Sequence, residues 1–250
     1  MVCRHGKKPC GNGANIHNPN VCVSMAIIVL KVSPAYGISR DVCSKEALQA
    51  RYKVNSPNSF NWRYNMKVEL KAVKGSWKEV VNRARTTVHK EELDKEPSDD
   101  FKKKILRAEH SPIRGLIFCF KINNLKSWVA THLVRHHVGV EKWVRTQRTD
   151  RTGVDRNEIS QGAEVEMEIE ANTQALINMA RKRLCSQASP ETREVMMAMK
   201  KEVEKVDPLV ADVMVRECVY RGHCPEMWSC GYDKTDKFKE EVEKYRNIKR

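Results

Sequence analysis

The chain has 250 residues, of which 40% are hydrophobic and 31% charged, and its formal net charge is +14 at pH 7. This composition is typical of a globular protein with a sizeable core, and we expect no membrane span because no run approaches the roughly 18 apolar residues required. The basic balance favours anionic partners such as nucleotides, nucleic acid or phosphorylated cofactors.

Residues 1–65 are predicted to be a basic N-terminal extension. They carry nine Lys or Arg residues against Asp41 and Glu46, a local excess of +7, and they are rich in Asn and Gly. One short helix is expected at 44–52. The chain has 9 cysteines and no secretory pattern, which favours free thiols or a metal site over disulfides. The cysteines and histidines at 3–22 lack the tight C-x2-C spacing of a zinc site, so no metal is predicted there.

The hydrophobic pattern becomes regular after residue 65. Alternating apolar and charged residues over 66–72 predict a half-exposed strand. A capping box at Ser76–Glu79 then opens an amphipathic helix, and a second short helix follows Pro97-Ser98. The nearly continuous apolar run at Leu116–Ile122 predicts a buried strand.

Four further elements are predicted before residue 207. An asparagine at 123–124 can cap a helix whose buried stripe extends to His136. Glutamates alternate with apolar residues over 164–170, which indicates a strand with one acidic, solvent-exposed face. A helix is expected at 172–187, and an amphipathic helix that starts at Ser189-Pro190 should follow it.

The densest basic stretch lies between the predicted helix and the acidic strand, at His132–Arg156. It holds five arginines and three histidines, and between 132 and 153 its only acids are Glu141 and Asp150. One cation at a helix end complements the helix dipole, but this many exceed that need. Because guanidinium groups bind phosphates through paired donors, we predict an anion-binding loop.

Residues 218–250 are predicted to be a Cys-containing, charged tail. Three evenly spaced cysteines make zinc an alternative here, namely Cys218, Cys224 and Cys230. They lack a C-x2-C knuckle, so we predict no metal. The charged segment 237–250 is expected to be a solvent-exposed helix.

Several motifs together resemble one known family. Arg135-His136-His137, followed after eight residues by Thr146-Gln147-Arg148, resembles the signature of flavin-dependent thymidylate synthases, in which Arg-His-Arg precedes Ser-x-Arg. Ala84–Thr87 is similar to the family's Ala-Arg-x-Ser, and Ser111-Pro112 to its Ser/Thr-Pro. The helix at Asn172–Arg183, with Asn178 between them, is similar to the family's asparagine-to-arginine helix.

The resemblance covers about residues 66–217, which we take as a catalytic domain between the extension and the tail, and it indicates the short, phage-type branch. It implies an α/β (α+β) fold with a central mixed sheet and flanking helices. It also implies a cytoplasmic homotetramer, in a bacterium or a phage-infected host cell, with active sites at subunit interfaces.

The implied activity is FAD-dependent transfer of a one-carbon unit from methylenetetrahydrofolate to C5 of a deoxypyrimidine monophosphate. Conversion of dUMP to dTMP with NADPH as reductant is the leading reaction, and hydroxymethylation of dUMP or dCMP is the alternative. A nucleic-acid-binding protein without catalysis would also use a basic loop, but aromatic residues make up only 6% of the chain. Nucleic acid is therefore not the expected partner.

The resemblance also implies roles for individual residues. Arg183 would be catalytic, because its fixed charge could stabilise negative charge on the pyrimidine. The substrate-binding set is Thr146, Gln147, Arg148, Arg156, Arg183 and His132. The flavin-binding set is Thr87, Ser111, Arg135, His136, His137, Asn172 and Asn178. His136 also continues a buried stripe, so a structural role is its alternative, and Arg181 and Lys182 are assigned to the surface.

The chain departs from the family pattern at several positions. His137 replaces the second arginine of the signature, Thr146 replaces its serine, and His132 stands where the family has glutamine. Only residues 149–155 separate the two predicted phosphate-binding arginines, where longer members insert a helix. These changes affect the choice of product more than the nucleotide and flavin roles.

Overall fold

The computed structural model describes residues 65–248. The predicted extension, with its helix at 44–52 and the cysteines and histidines at 3–22, lies outside the described residues except for Asn65. The strands are β1 (Lys67–Lys74), β2 (Ile117–Lys126), β3 (Val140–Val144) and β4 (Glu164–Asn172). The α-helices are α1 (Trp77–Thr86), α2 (Asp99–Arg107), α3 (Ser127–Val134), α4 (Thr149–Thr152), α5 (Thr173–Arg183), α6 (Pro190–Val206), α7 (Pro208–Val213), α8 (Glu217–Arg221) and α9 (Asp236–Ile248). Within 65–248 no helix is long and apolar enough to cross a membrane.

The four strands form one sheet in the order β1-β2-β4-β3, and all three neighbouring pairs are antiparallel. The α+β class with flanking helices is confirmed, but the sheet is antiparallel where a mixed one was expected. β2 and β3 run in the same direction and are connected through α3, yet β4 lies between them. The parallel strands β2 and β3 are therefore not neighbours in the sheet.

β4 shows how the sheet separates polar from apolar residues. Its inward-facing residues from Val165 to Ala171 are buried, while the alternating glutamates face outward, as the sequence predicts. Lysines of other strands meet these acids: Lys126 of the neighbouring β2 lies 3.0 Å from Glu164, and Lys74 of β1 reaches across β2 to place its Nζ 2.7 Å from Glu170. Such partly exposed pairs contribute about 0–1 kcal/mol each, so burial of the apolar face is the main stabilising term.

Three helices begin where the sequence places them. Ser76 caps α1 by accepting a hydrogen bond from the Glu79 amide at 3.2 Å, and Ser98 caps α2 in the same way. Ser189 caps α6, and Pro190 occupies the first turn of that helix. Each cap satisfies a backbone amide that the helix leaves free and contributes about 1 kcal/mol.

α3 begins later than predicted. The asparagines at 123–124 do not cap it, because β2 continues to Lys126 and the helix starts at Ser127. The strand register shifts at 122–125, where Asn124 has a φ of 55°. This bulge accommodates the two polar residues and returns the following leucine to the buried face.

Two short elements inside the basic stretch were not predicted from the sequence. β3 pairs with β4 and lies at the edge of the described sheet, and α4 is a single turn. Two of the five residues of β3, Trp143 and Val144, are exposed apolar side chains. Neither element is long enough to give a periodic pattern.

Arg181 is buried, which corrects its assignment to the surface. It forms an ion pair with Glu109, and its guanidinium lies 3.5 Å from the ring centroid of Tyr220. Ile177 and Leu184, one helical turn before and after it, are also buried, so Arg181 continues their face of α5. Glu109 compensates the buried charge, which would otherwise be costly.

α8 and α9 contribute to the same hydrophobic core as the sheet. Their buried residues are Cys218, Val219, Phe238, Val242 and Tyr245. The expectation of a solvent-exposed helix at 237–250 is therefore wrong for one face, because apolar residues recur there at helical spacing among the charges. The division into a domain at 66–217 and a tail at 218–250 stays a prediction.

A comparison of two glycines with the same backbone φ angle tests how closely the segment before β3 approaches β4. Gly139 and Gly153 both have a φ of 72°, but a Cβ would lie 2.3 Å from Asn172 Nδ2 at Gly139 and would meet nothing within 4 Å at Gly153. Replacement by alanine adds about 1–2 kcal/mol of backbone strain at either site. We predict that Gly139→Ala lowers the free energy of unfolding by about 1–3 kcal/mol more than Gly153→Ala, because only Gly139→Ala adds a clash. Equal losses in chemical denaturation would contradict the close approach.

Candidate functional site

The C-terminal turns of α3 and α5 meet in a group of basic residues, which we call the α3–α5 cluster: His132, Arg135, His136 and Arg183. Arg183 donates from Nε to His136 Nε2 at 2.8 Å and from Nη2 to the His132 carbonyl oxygen at 2.8 Å. The bonded residues are 47 and 51 positions apart in the chain. The fold thus brings together residues that the resemblance assigns to substrate and to flavin.

His136 is held in its neutral form. Burial, together with the nearby charges of Arg183, Lys142 and His137, lowers its pKa to about 4. Because an arginine N–H can only donate, Nε2 of His136 must accept, and the ring proton is therefore assigned to Nδ1. A protonated imidazole could not accept this hydrogen bond. The bond therefore forms only while the low pKa of His136 keeps its ring neutral.

His132 is positioned by a chain of hydroxyl groups at the start of α6. Its Nδ1 lies 2.9 Å from Thr192 Oγ1, which lies 2.8 Å from Ser189 Oγ. Its ring also packs edge-on against Trp128, with centroids 5.6 Å apart. Burial lowers the pKa of His132, and so do the charges of nearby arginines. Thr192, fully buried, was not singled out from the sequence, which gives no sign that α6 reaches α3.

Lys142 of β3 adds a further cation beside the cluster. Its Nζ donates to the His136 carbonyl oxygen at 2.5 Å. His137 turns back instead, and its Nδ1 donates to the Arg135 carbonyl oxygen at 3.1 Å. Arg135 itself is exposed at the end of α3. The result is a positive surface at one end of the two helices, suited to an anionic ligand.

Asn172 links the cluster's helix to the segment before β3. Its Oδ1 caps α5 by accepting from the Ala175 amide at 2.9 Å, and its backbone amide donates to the Gly139 carbonyl at 3.0 Å. The cap uses the side-chain acceptor, while the Nδ2 group is left packed beside Gly139. The Nδ2 donor of this residue is therefore available for a flavin contact without loss of the cap.

The predicted phosphate-binding residues lie on an exposed loop. Arg148 makes a two-point contact with Asp150, at 2.9 and 2.8 Å, and Thr146 Oγ1 accepts from the Arg148 amide at 3.2 Å. Arg156 is exposed, and its amide donates to Thr149 Oγ1 at 3.1 Å. Gln147 is partly buried on the same loop. Among the hydrogen bonds of the described residues, none joins these side chains to the α3–α5 cluster.

The remaining predicted flavin residues lie at other places. Thr87 is exposed after α1, where its hydroxyl donates to the Ala84 carbonyl at 2.7 Å, and Ser111 is exposed at the start of a 3-10 turn. Asn178 is exposed on α5, and its Oδ1 lies 3.4 Å from Gln174 Nε2. Their roles stay predictions.

The tail cysteines do not form a metal centre in the described part of the chain. No group of three or more His, Cys, Asp or Glu side chains between 65 and 248 is arranged to hold a metal ion. Cys218, Cys224 and Cys230 are free thiols. Burial raises the pKa of Cys218 to about 11, which favours the neutral thiol over the thiolate that zinc requires. The geometry gives the zinc alternative no support.

Comparison with known families identifies one match. The family described as thymidylate synthase complementing protein matches residues 155–209, which contain β4, α5 and α6. Arg156, Asn172, Asn178 and Arg183 fall inside this match, whereas the signature at 135–148 lies before it. No curated protein sequence matches the chain significantly.

Solved structures share the fold. A UMP/dUMP methylase, PolB from Streptomyces cacaoi, bound with 5-Br dUMP, is 15% identical, with a TM-score of 0.50 over 60% of this chain and 94% of that one. Thymidylate synthase X from Helicobacter pylori, with FAD and dUMP, is 13% identical, with a TM-score of 0.50 over 60% of this chain and 99% of that one. Identities this low establish the fold alone.

The two comparisons agree on one class of protein, the flavin-dependent thymidylate synthases. The family match bears out the resemblance over 155–209, which includes Asn172, Asn178 and Arg183. The signature at 135–148 lies outside that match, and the short, phage-type branch stays a prediction. The chain has the fold of this class of enzyme and matches its family in sequence over 155–209.

The pKa of His136 provides a test of the cluster. Arg183→Ala should raise this pKa from about 4 toward 6.5, because it removes a neighbouring charge and admits water to the ring. NMR titration of the histidine ring protons measures the shift, and Arg148→Ala on the exposed loop should leave the pKa of His136 unchanged.

The same pKa predicts how stability depends on pH. Since the folded pKa lies below the unfolded one, the contribution of His136 to stability is present above pH 6.5 and is lost as pH falls through about 4. A wild-type His136 that titrates near 6.5 would contradict the cluster.

Proposed function

We propose that the chain is a flavin-dependent enzyme that modifies C5 of a deoxypyrimidine monophosphate, converting dUMP to dTMP. Methylenetetrahydrofolate would donate the one-carbon unit, and NADPH would be the reductant. The observation that carries this proposal is the contact of Arg183 with His136. It joins the helix matched by the thymidylate synthase complementing family to the helix that bears the Arg-His signature.

The α3–α5 cluster suits an anionic cofactor such as FAD. Arg135 at the C-terminal end of α3 and the amide group of Asn172 at the N-cap of α5 are both donors, and Gly139 keeps the space beside Asn172 free of a side chain. When bound, FAD would supply the hydride that completes the methyl group. Thr87, Ser111, His136, His137 and Asn178 remain proposed flavin contacts.

The substrate phosphate is assigned to the exposed loop of Thr146, Gln147, Arg148 and Arg156. The Arg148 guanidinium already presents a two-point contact to the carboxylate of Asp150. A phosphate monoester offers the same paired acceptors with a charge of about −1.5 to −2, so it can compete with a single carboxylate. His132, fixed by Thr192, would contact the nucleotide from the cluster side.

Arg183 is the proposed catalytic residue. A guanidinium has five N–H donors, and the contacts with His136 and His132 engage two of them. The side chain is half-buried, which leaves the remaining donors for the pyrimidine. As C5 becomes nucleophilic, negative charge develops on O2, and a fixed cation held by a neutral histidine would stabilise it without moving.

A second copy of the chain would complete the site. Exposed apolar side chains occur on the edge strand β3 and in the segment that leads to it, namely Val134, Val138, Trp143 and Val144. They flank the phosphate loop, whose arginines are open to solvent in one chain. Burying such a patch would favour association, in keeping with the predicted homotetramer. Sedimentation analysis tests this, and a fully active monomer would contradict it.

The product distinguishes the proposed reaction from its alternative. Protein reconstituted with FAD would be incubated anaerobically with methylenetetrahydrofolate, NADPH and either dUMP or dCMP, and the nucleotide product weighed by mass spectrometry. A methyl group gained by dUMP is expected. A hydroxymethyl group would instead identify a nucleotide hydroxymethylase. If neither nucleotide gains a carbon, the enzyme assignment fails.

Substitution of Arg183 separates catalysis from cofactor binding. Arg183→Ala should lower kcat by about 10²–10³-fold, the loss typical of one donor to a developing charge, while the flavin absorbance of the purified protein is largely retained. Lys182→Ala is the matched control, because Lys182 is adjacent, exposed and 3.8 Å from Glu217. Equal activity of the two variants would remove Arg183 from the site.

A further inference from the structure

A cavity of about 340 Å³ lies between α6, α7 and α9. Its walls include Met197 and Lys200 of α6, Asp212 of α7, and the segment after α7. None of the residues that line it belongs to the α3–α5 cluster or to the phosphate loop. Its volume is at the lower end of the range for small-molecule sites, roughly 300–1,000 Å³.

The charges around the cavity do not balance. Four cations line it, namely Lys200, Arg216, Lys237 and Lys244, against two carboxylates, Asp212 and Glu241. Lys244 is paired with Asp212 at 3.1 Å. Arg216 stacks on Tyr232, with 4.0 Å between the guanidinium carbon and the ring centroid. Two positive charges therefore remain without a matching carboxylate at the cavity wall.

Lys200 is the lining cation whose surroundings most affect its amine. It is half-buried, and its Nζ donates to the Met214 carbonyl oxygen at 2.9 Å. Burial and the charge of Lys244 lower its pKa, while Asp212, Glu241 and Glu204 act in the opposite sense. An ammonium has three donors, so one carbonyl leaves two of them for a ligand in the cavity.

We propose that this cavity binds a small phosphate monoester with an apolar or planar body, with its phosphate held by Lys237 and Arg216 and its body beside Lys200. A phosphate monoester carries a charge of about −1.5 to −2 at pH 7, which matches the two cations without a carboxylate partner. A ligand with one carboxylate would neutralise only one of them. The apolar wall, which includes Leu184, Met197 and Met214, accommodates the rest of the molecule. The site is independent of the proposed function, because it shares no residue with it.

Pyridoxal phosphate is a suitable probe, since it combines a phosphate monoester, a planar body and an aldehyde. The neutral amine of a lysine attacks the aldehyde carbon and water leaves, which gives an imine. Borohydride then delivers a hydride to the imine carbon, and a solvent proton completes a stable secondary amine. Peptide mapping by mass spectrometry identifies which lysines of the full-length protein have reacted.

We expect Lys200 to be modified several-fold faster than its exposed neighbour Lys201, because burial lowers the pKa of Lys200 and leaves more of its amine in the neutral form that attacks the aldehyde. Adenosine monophosphate should protect Lys200, and pyridoxal without phosphate should react with it more slowly. Lys237→Gln should lower the rate at which Lys200 is modified several-fold. Lys201→Met and Arg148→Ala should change nothing at Lys200, which separates this site from the nucleotide site.

Several outcomes would overturn the proposal. Modification spread over exposed lysines with Lys200 unmodified would show that the cavity does not admit the probe. Equal reaction of Lys200 with pyridoxal and its phosphate, or no protection by adenosine monophosphate, would show that the cavity does not recognise phosphate. Loss of modification in Arg148→Ala would assign the effect to the nucleotide site.

Discussion

The hydrogen bond from Arg183 to His136 is the contact on which the proposed site depends. It exists only while His136 is neutral, and burial together with the surrounding cations keeps it so. Through this bond α5 and α3 share one positive surface. The same guanidinium holds the His132 carbonyl, and Thr192 fixes the His132 ring, so α6 also supports the site. A change in the protonation of His136 would therefore affect three helices.

Much of the fold follows from local patterns. The alternation in β4, the serine caps of α1, α2 and α6, and the spacing from Asn172 to Arg183 are each read within a few residues, because one periodicity or one hydrogen bond determines them. The family resemblance added the roles of Arg183 and His136, which no local pattern supplies. Their contact in the structure agrees with roles that the motifs had assigned separately.

Other features depend on contacts between distant residues and could not be predicted in this way. β3 is an edge strand defined by its pairing with β4, and Arg181 is buried because Glu109 and Tyr220 meet it there. The start of α3 shifted because a bulge let β2 continue past two asparagines. Thr192 reaches the site through a contact with His132, 60 residues away. Lys142 is only six residues from His136, but its strand is placed there by pairing with β4. For Arg181, the buried neighbours Ile177 and Leu184 were a usable signal.

The basic stretch contacts α5 through its helical end, and we propose that its loop binds the substrate phosphate. At this site the C5–H bond of the nucleotide is expected to break. The most direct measurement is release of tritium from deoxyuridine monophosphate labelled at C5, in protein supplied with FAD, methylenetetrahydrofolate and NADPH. Tritium release that requires the folate and is lost in Arg183→Ala is the predicted result. No release by a protein that binds both FAD and the nucleotide would contradict the account.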